Sequence, residues 1–150
     1  MGGLDLFGCL WLFFVYSFFG WIAETCFCVL KYRKFMNRGM LNSPLCIVYG
    51  ISAVIITIGF PELFDEIPIL FLGCAGVSTL LEWFTAKILE KLDHKKWWDY
   101  SSKRWNLDGY ICLQYSIVWG ILGVLSVKFV TPVLMKLYHM VPSFMMQIAL

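Results

Sequence analysis

The sequence predicts an all-α fold, a polytopic transmembrane helix bundle of four spans followed by a short or truncated fifth apolar segment. Three observations predict it. Of the 150 residues, 60% are hydrophobic and only 15% charged, where a soluble domain carries about 25% charged residues. The mean hydropathy is +0.75. Apolar runs of membrane-spanning length alternate with connections whose basic and acidic residues are segregated.

The first run, Leu6 to Leu30, is broken by one charge, Glu24. At about 1.5 Å per residue it outreaches the roughly 30 Å hydrocarbon core. A signal peptide is a poor reading, because no basic segment precedes the run and no small-residue cleavage site follows it. The second run covers Leu45 to Phe60 and stops at Pro61; the third runs from near Pro68 to about Ala86. Pro44 and Pro68 fall where a helix tolerates proline, in its first turn. The fourth extends from Gly109 to Val127 and on past Lys128, which can snorkel to an interface, toward Leu134. Met140 to Leu150 is apolar but too short to cross. It either lies on the outer interface or begins a fifth span.

Basic residues set the expected orientation. Lys31, Arg33, Lys34 and Arg38 lie between runs one and two, and Lys87, Lys91, Lys95, Lys96, Lys103 and Arg104 between three and four. The connection Pro61 to Ile67 has Glu62, Asp65 and Glu66 but no Lys or Arg. The positive-inside rule then places loops 31–43 and 87–108 in the cytoplasm and the N-terminus outside, in a multi-pass protein of a bacterial cell membrane. Trp97, Trp98, Tyr100 and Trp105 form an aromatic anchor at the inner interface.

Composition also excludes functions. A net charge of +2 is too small to imply nucleic acid, and no P-loop, HExxH or GxSxG pattern occurs. The six cysteines, Cys9, Cys26, Cys28, Cys46, Cys74 and Cys112, lie in or beside apolar runs and read as small buried thiols. Cys26 and Cys28 would point about 200° apart on a helix and have no histidine nearby, so no metal or other cofactor is expected. His94 and His139 read as solvated, and the Phe13, Phe14, Phe18 and Phe19 cluster as lipid-facing or core.

An internal repeat joins the two halves, about residues 6–60 and 68–134, within one transmembrane domain spanning 1–150. Asn37-Arg38-Gly39 precedes Tyr49-Gly50 as Asn106-Leu107-Asp108-Gly109 precedes Trp119-Gly120, and Glu24 corresponds to Glu82. Cys46, Gly50, Ala53 and Thr57 share one face of the second run; Ser116, Gly120, Gly123 and Val127 share one of the fourth. Such small-residue stripes allow close backbone approach, which makes Gly20, Gly50, Ser116 and Gly120 helix-packing positions. Two spans per half insert with the same orientation, so the helix-loop-helix repeats are parallel.

Glu24 and Glu82 are the only acidic residues well inside the apolar runs, where an ionisable group costs several kcal/mol unless paired, solvated or protonated. By count from Lys31 and Lys87, both lie about 7 to 11 Å inside the cytoplasmic boundary, a depth at which they could share one cavity. Asn37, Arg38, Asp99, Tyr100 and Asn106 can reach that level, and Arg38 is the natural counter-charge. Three readings stay open. The acids pin the loops, or they line a cavity that takes a cation, a proton or a cationic substrate group, or they serve as acid and base in an intramembrane enzyme.

The same residues carry a resemblance. Tyr16-Ser17-Phe18-Phe19-Gly20-Trp21-Ile22-Ala23-Glu24, Asn37-Arg38-Gly39-Met40-Leu41, Pro44-Leu45-Cys46 and Tyr49-Gly50 in the first half, with Leu81-Glu82-Trp83, Trp98-Asp99-Tyr100-Ser101, Asn106-Leu107-x-Gly109 and Ile111-Cys112-Leu113 in the second, resemble the ABC-transporter type IV (CmpB-like) membrane protein family. The resemblance runs from about Tyr16 to Pro132. It implies a permease, and in longer members a further span after the position of Pro132. A permease without a nucleotide-binding motif would need a separate cytoplasmic ATPase, with the Lys87 to Asp108 loop as its contact.

The sequence therefore points to a non-enzymatic permease or channel-like transporter subunit in the lipid bilayer. It would be homo-oligomeric, because four spans are few to enclose a path, with its polar site at Glu24, Arg38, Glu82 and Asn106. The alternative is a membrane scaffold or regulatory subunit in which the polar cluster only holds the loops.

Overall fold

The computed structural model describes residues 4–141, with Leu41 as backbone alone. Five α-helices follow one another: α1 (Leu6–Tyr32), α2 (Ile47–Gly59), α3 (Ile67–Asp93), α4 (Leu113–Leu125) and α5 (Thr131–Met140). The all-helical expectation holds except for a two-stranded ribbon, β1 (Asn106–Leu107) with β2 (Ile111–Cys112), just before α4. Three helical stretches are long and apolar enough to cross a membrane: Leu6–Tyr32, Ile67–Asp93 and the continuous Leu113–Met140. Their apolar surface faces outward, with only 11% of the apolar window of α3 buried. Water would not tolerate so much exposed hydrocarbon, and lipid does. The chain is a membrane protein.

Local chemistry sets the helix limits. Asp5 caps α1 by accepting the Gly8 N–H at 2.9 Å, and Arg33, in a left-handed conformation, closes the helix with its N–H on the Val29 carbonyl at 2.9 Å. Pro68 lies in the first turn of α3, where its missing N–H costs nothing. That helix runs past Ala86 to Asp93, because Leu89, Glu90 and Lys91 are good helix formers and no breaker intervenes. The connection expected over 87–108 thus begins as two further helical turns.

The second apolar run yields a shorter helix than its length suggests. Leu45 and Cys46 stay outside the helix, the Leu45 carbonyl accepting from Met40 at 2.9 Å and the Cys46 N–H donating to the Ser17 carbonyl at 2.8 Å. Pro44 therefore precedes α2 and does not lie in its first turn. The 13 residues of α2 rise about 20 Å, less than the hydrocarbon core.

The last helix carries on well beyond Lys128 because it absorbs a proline. Pro132 lacks the N–H that would bond the Lys128 carbonyl, and its ring crowds that oxygen. The ladder slips to a wider π turn over Ser126–Val130 before α5 resumes. The fifth apolar segment expected from Met140 onward lies, beyond Val141, outside the described residues.

The chain divides into two compact units: Met1–Val54 with Phe129–Leu150, and Ile55–Lys128. In the first, Leu12, Tyr16 and Leu134 form a buried cluster. Three polar ties bind α1 and its cap to α5: the Trp11 indole N–H to the Leu134 carbonyl at 3.0 Å, the Tyr16 and Thr131 hydroxyls at 2.8 Å, and the Tyr138 hydroxyl to Asp5 at 2.8 Å. In the second, α3 and α4 pack along each other around Ile56, Leu70, Cys74 and Val127. There Lys128 reaches Asp65 in the acidic connection at 3.4 Å.

Candidate functional site

Glu24 on α1 and Glu82 on α3 each lie within a long apolar helix, and each accepts from an aromatic side chain of the α-helix that follows. In the first unit Glu24 projects from α1 and accepts a hydrogen bond from the Tyr49 hydroxyl of α2 at 2.8 Å. Arg38 lies with its Nε 3.8 Å from the other carboxylate oxygen, the two side chains being 17% and 25% exposed for Arg38 and Glu24. Asn37 does not touch the acid. Its Oδ1 accepts from the Trp21 indole at 2.7 Å and the Gly39 N–H at 2.9 Å, and its amide donates to the Asn42 carbonyl at 3.0 Å. Trp21 and Glu24 are neighbours on the α1 surface, so by gripping Trp21, Asn37 delivers the next residue, Arg38, to the carboxylate.

The seam that brings Tyr49 to Glu24 is made by glycine. A Cβ on Gly20 would run into the Tyr49 ring, and one on Gly50 into the Phe13 carbonyl and the Ser17 hydroxyl. The α1 and α2 backbones approach as closely as small residues permit.

In the second unit Glu82, on α3, is buried at 9% exposure. It accepts from the Trp119 indole of α4 at 3.0 Å and from the Tyr100 hydroxyl at 3.1 Å. Tyr100 stacks on Tyr115 with ring centroids 4.7 Å apart. Gly120 meets the Phe71 ring where a Cβ would collide, and Ser116 accepts from the Thr79 hydroxyl at 2.8 Å.

Asp99 and Asn106 lie off the acid and build the loop that presents Tyr100. Asp99 accepts the Ser101 backbone N–H at 2.9 Å and its hydroxyl at 2.5 Å; these bonds, the hydroxyl foremost, hold its carboxyl below the usual range. The Asn106 amide donates to the Lys103 carbonyl at 2.7 Å and the Ser101 carbonyl at 3.4 Å, while its oxygen accepts from Gly109 at 3.1 Å. The Tyr100 N–H closes the same turn on the Gly109 carbonyl at 2.8 Å.

The correspondence between the units is specific. Tyr49 immediately precedes Gly50 and Trp119 precedes Gly120; Gly50 packs on Phe13 and Gly120 on Phe71, each phenylalanine lying eleven residues before its acid. In sequence Tyr49 and Trp119 serve only as markers of the expected correspondence between the halves. The structure makes them the donors to the two carboxylates. The signal for that role was their shared place before the seam glycine combined with a polar tip on an aromatic body.

Among the described residues no group of three or more His, Cys, Asp or Glu side chains is arranged to hold a metal ion. Two open grooves, each of about 500 Å³, lie on the second unit, and neither is lined by Glu24 or Glu82. No curated protein matches the chain, and no solved structure matches it. A family of transporter-related membrane proteins matches residues 11–150, nearly the whole chain and both carboxylate settings. The chain belongs to this family, described as "Putative ABC-transporter type IV".

Proposed function

We propose that the protein is a permease or channel-like subunit of a membrane transporter in which Glu24 and Glu82 take a cation, a proton or a cationic group of the substrate. One observation carries the reading: the same grip, a carboxylate held by the aromatic O–H or N–H of the next apolar helix, is built twice. A carboxylate at this depth is costly, and a neutral side chain could pin a loop at lower cost, so its recurrence favours a use for the charge. Arg38 balances Glu24, Tyr100 steadies Glu82, and Asn37, Asp99 and Asn106 hold the loops that carry them.

In this reading four apolar segments form two parallel helix-loop-helix repeats within one transmembrane domain, with the N-terminus outside and the basic connections in the cytoplasm. The subunit works as a homo-oligomer, and any ATP-driven step falls to a separate ATPase docking on the 87–108 segment. The second reading, a scaffold or regulatory subunit, is favoured by the way Arg38 and Tyr100 use the acids to fasten connecting segments onto helices.

Flux into proteoliposomes separates the two. Vesicles carrying the full chain, followed with the proton dye pyranine and with radioactive sodium and rubidium, should pass at least one of these ions. The Glu24→Gln/Glu82→Gln double variant, at equal incorporation, should lose at least tenfold of that flux. Equal flux in wild type and variant would remove the proposed site, and no flux above empty vesicles for any of the three ions would favour the scaffold.

A further inference from the structure

The loop that presents Tyr100 also presents a second, unrelated feature on its outer side. Lys103, Arg104 and Trp105 line one end of an open groove of about 500 Å³ whose floor is Leu113, Gln114 and Ile117 of α4. Among the described residues neither the Lys103 ammonium nor the Arg104 guanidinium has an ion-pair partner. Other cations of the chain are engaged: Arg38 with Glu24, Lys128 with Asp65, Lys96 on the Asp108 carbonyl and Lys87 over the Trp83 ring.

Trp105 sharpens the contrast. It holds a left-handed backbone, φ 56°, that a bulky residue adopts only when its surroundings impose it. The imposition is visible: the Trp105 carbonyl accepts from Leu113, the first residue of α4, at 3.1 Å, and Asn106 ties down the turn before it. The result is an indole 77% exposed beside two cations.

From the groove an exposed apolar stripe continues down α4 through Leu113, Ile117, Ile121 and Leu125, four residues apart and so on one face, for roughly 18 Å. A site with two cations and an amphipathic ring at its head and a hydrocarbon track below matches an amphiphile with an anionic head. We propose that Lys103, Arg104 and Trp105 bind the phosphate of an anionic phospholipid whose acyl chain lies along the Leu113–Leu125 face. The site holds one lipid in register with the loop that fixes Tyr100, and it is independent of any transport activity.

Native mass spectrometry of the detergent-solubilised full chain tests this with phosphatidylglycerol and phosphatidylcholine of identical acyl chains. Wild type should retain phosphatidylglycerol about 30-fold more strongly, two cations each contributing roughly fivefold. Lys103→Gln/Arg104→Gln should bring it to the phosphatidylcholine level, whereas Lys91→Gln/Lys95→Gln, which removes equal charge outside the groove, should change retention less than twofold. If the double variant fails to fold by circular dichroism, Arg104→Gln alone should lose about fivefold. Ile117→Gln should weaken both lipids several-fold. The proposal is overturned if the two lipids bind equally, if the control pair loses as much as the groove pair, or if soluble glycerol phosphate at the same concentration displaces the lipid. An acidic soluble protein bound at the groove in place of lipid would overturn it as well.

Discussion

Glu24 and Glu82 occupy equivalent places in their units yet meet different company. Glu24 is a quarter exposed and faces a guanidinium; Glu82 is buried and receives a phenol and an indole, both neutral. The shared part, the aromatic donor beside a seam glycine, comes from the helix that follows. The differing part comes from the loop, Arg38 in one unit and Tyr100 in the other. In each unit the helix that follows supplies the aromatic donor, while the connecting segment supplies the second partner of the acid.

The difference ranks the consequences of mutation. Glu82→Ala should cost most, about 2 to 4 kcal/mol, because it strands two donors at a buried position; thermal or denaturant unfolding in detergent measures it. Glu24→Ala should cost less, about 1 to 2 kcal/mol, since it leaves the Tyr49 hydroxyl and a partly exposed guanidinium without the acid, where Glu82→Ala strands two donors around a buried one. Equal losses would break the comparison.

The seams rank next. Gly50→Ala places its methyl against the Phe13 backbone carbonyl, which cannot step aside, whereas Gly120→Ala meets the edge of the Phe71 ring, which can turn. Both should destabilise by about 1 to 3 kcal/mol, Gly50→Ala the more. In the first unit the methyl should also part Tyr49 from Glu24, read as a change in Tyr49 ultraviolet resonance Raman bands.

The smallest effect is that of acid. The Gly8 N–H and then the Tyr138 hydroxyl hold the Asp5 carboxyl below its ordinary 3.8, and Ser101 does the same for Asp99. Each contribution is complete above pH about 4 and fades as pH falls through the lowered folded-state value. Hydrogen exchange, corrected for the intrinsic rate, should show the start of α1 and the 99–101 turn losing protection between about pH 4 and pH 2. In Asp5→Asn only the turn should still respond.

Much of this was legible in the sequence because membrane helices announce themselves by length and composition. Pro68 marks a helix start, and the small-residue spacing marks positions of close helix packing. Arg38 could be matched to Glu24 as a loop residue whose planar fork suits a carboxylate at a semi-buried site. The turn chemistry was not legible: left-handed Trp105 and Asp108 and the ribbon of Asn106 with Cys112 follow no period and depend on a handful of carbonyl contacts. Nor could spacing reveal that Pro132 is absorbed by a π turn, or that Asp99 and Asn106 turn inward on their own loop, since several arrangements satisfy the same short polar segment. Tyr49 and Trp119 were visible as matched letters, but their role needed the seam geometry that aims them.

The claim on which the rest stands is that in each unit an aromatic donor from the following α-helix grips the acid, and a pair of double-mutant cycles measures it most directly. Unfolding free energies for Glu24→Gln, Tyr49→Phe and their combination, and for Glu82→Gln, Trp119→Phe and theirs, should each give a coupling of about 0.5 to 3 kcal/mol, the second larger than the first. Additive effects in both cycles, with couplings near zero, would contradict it.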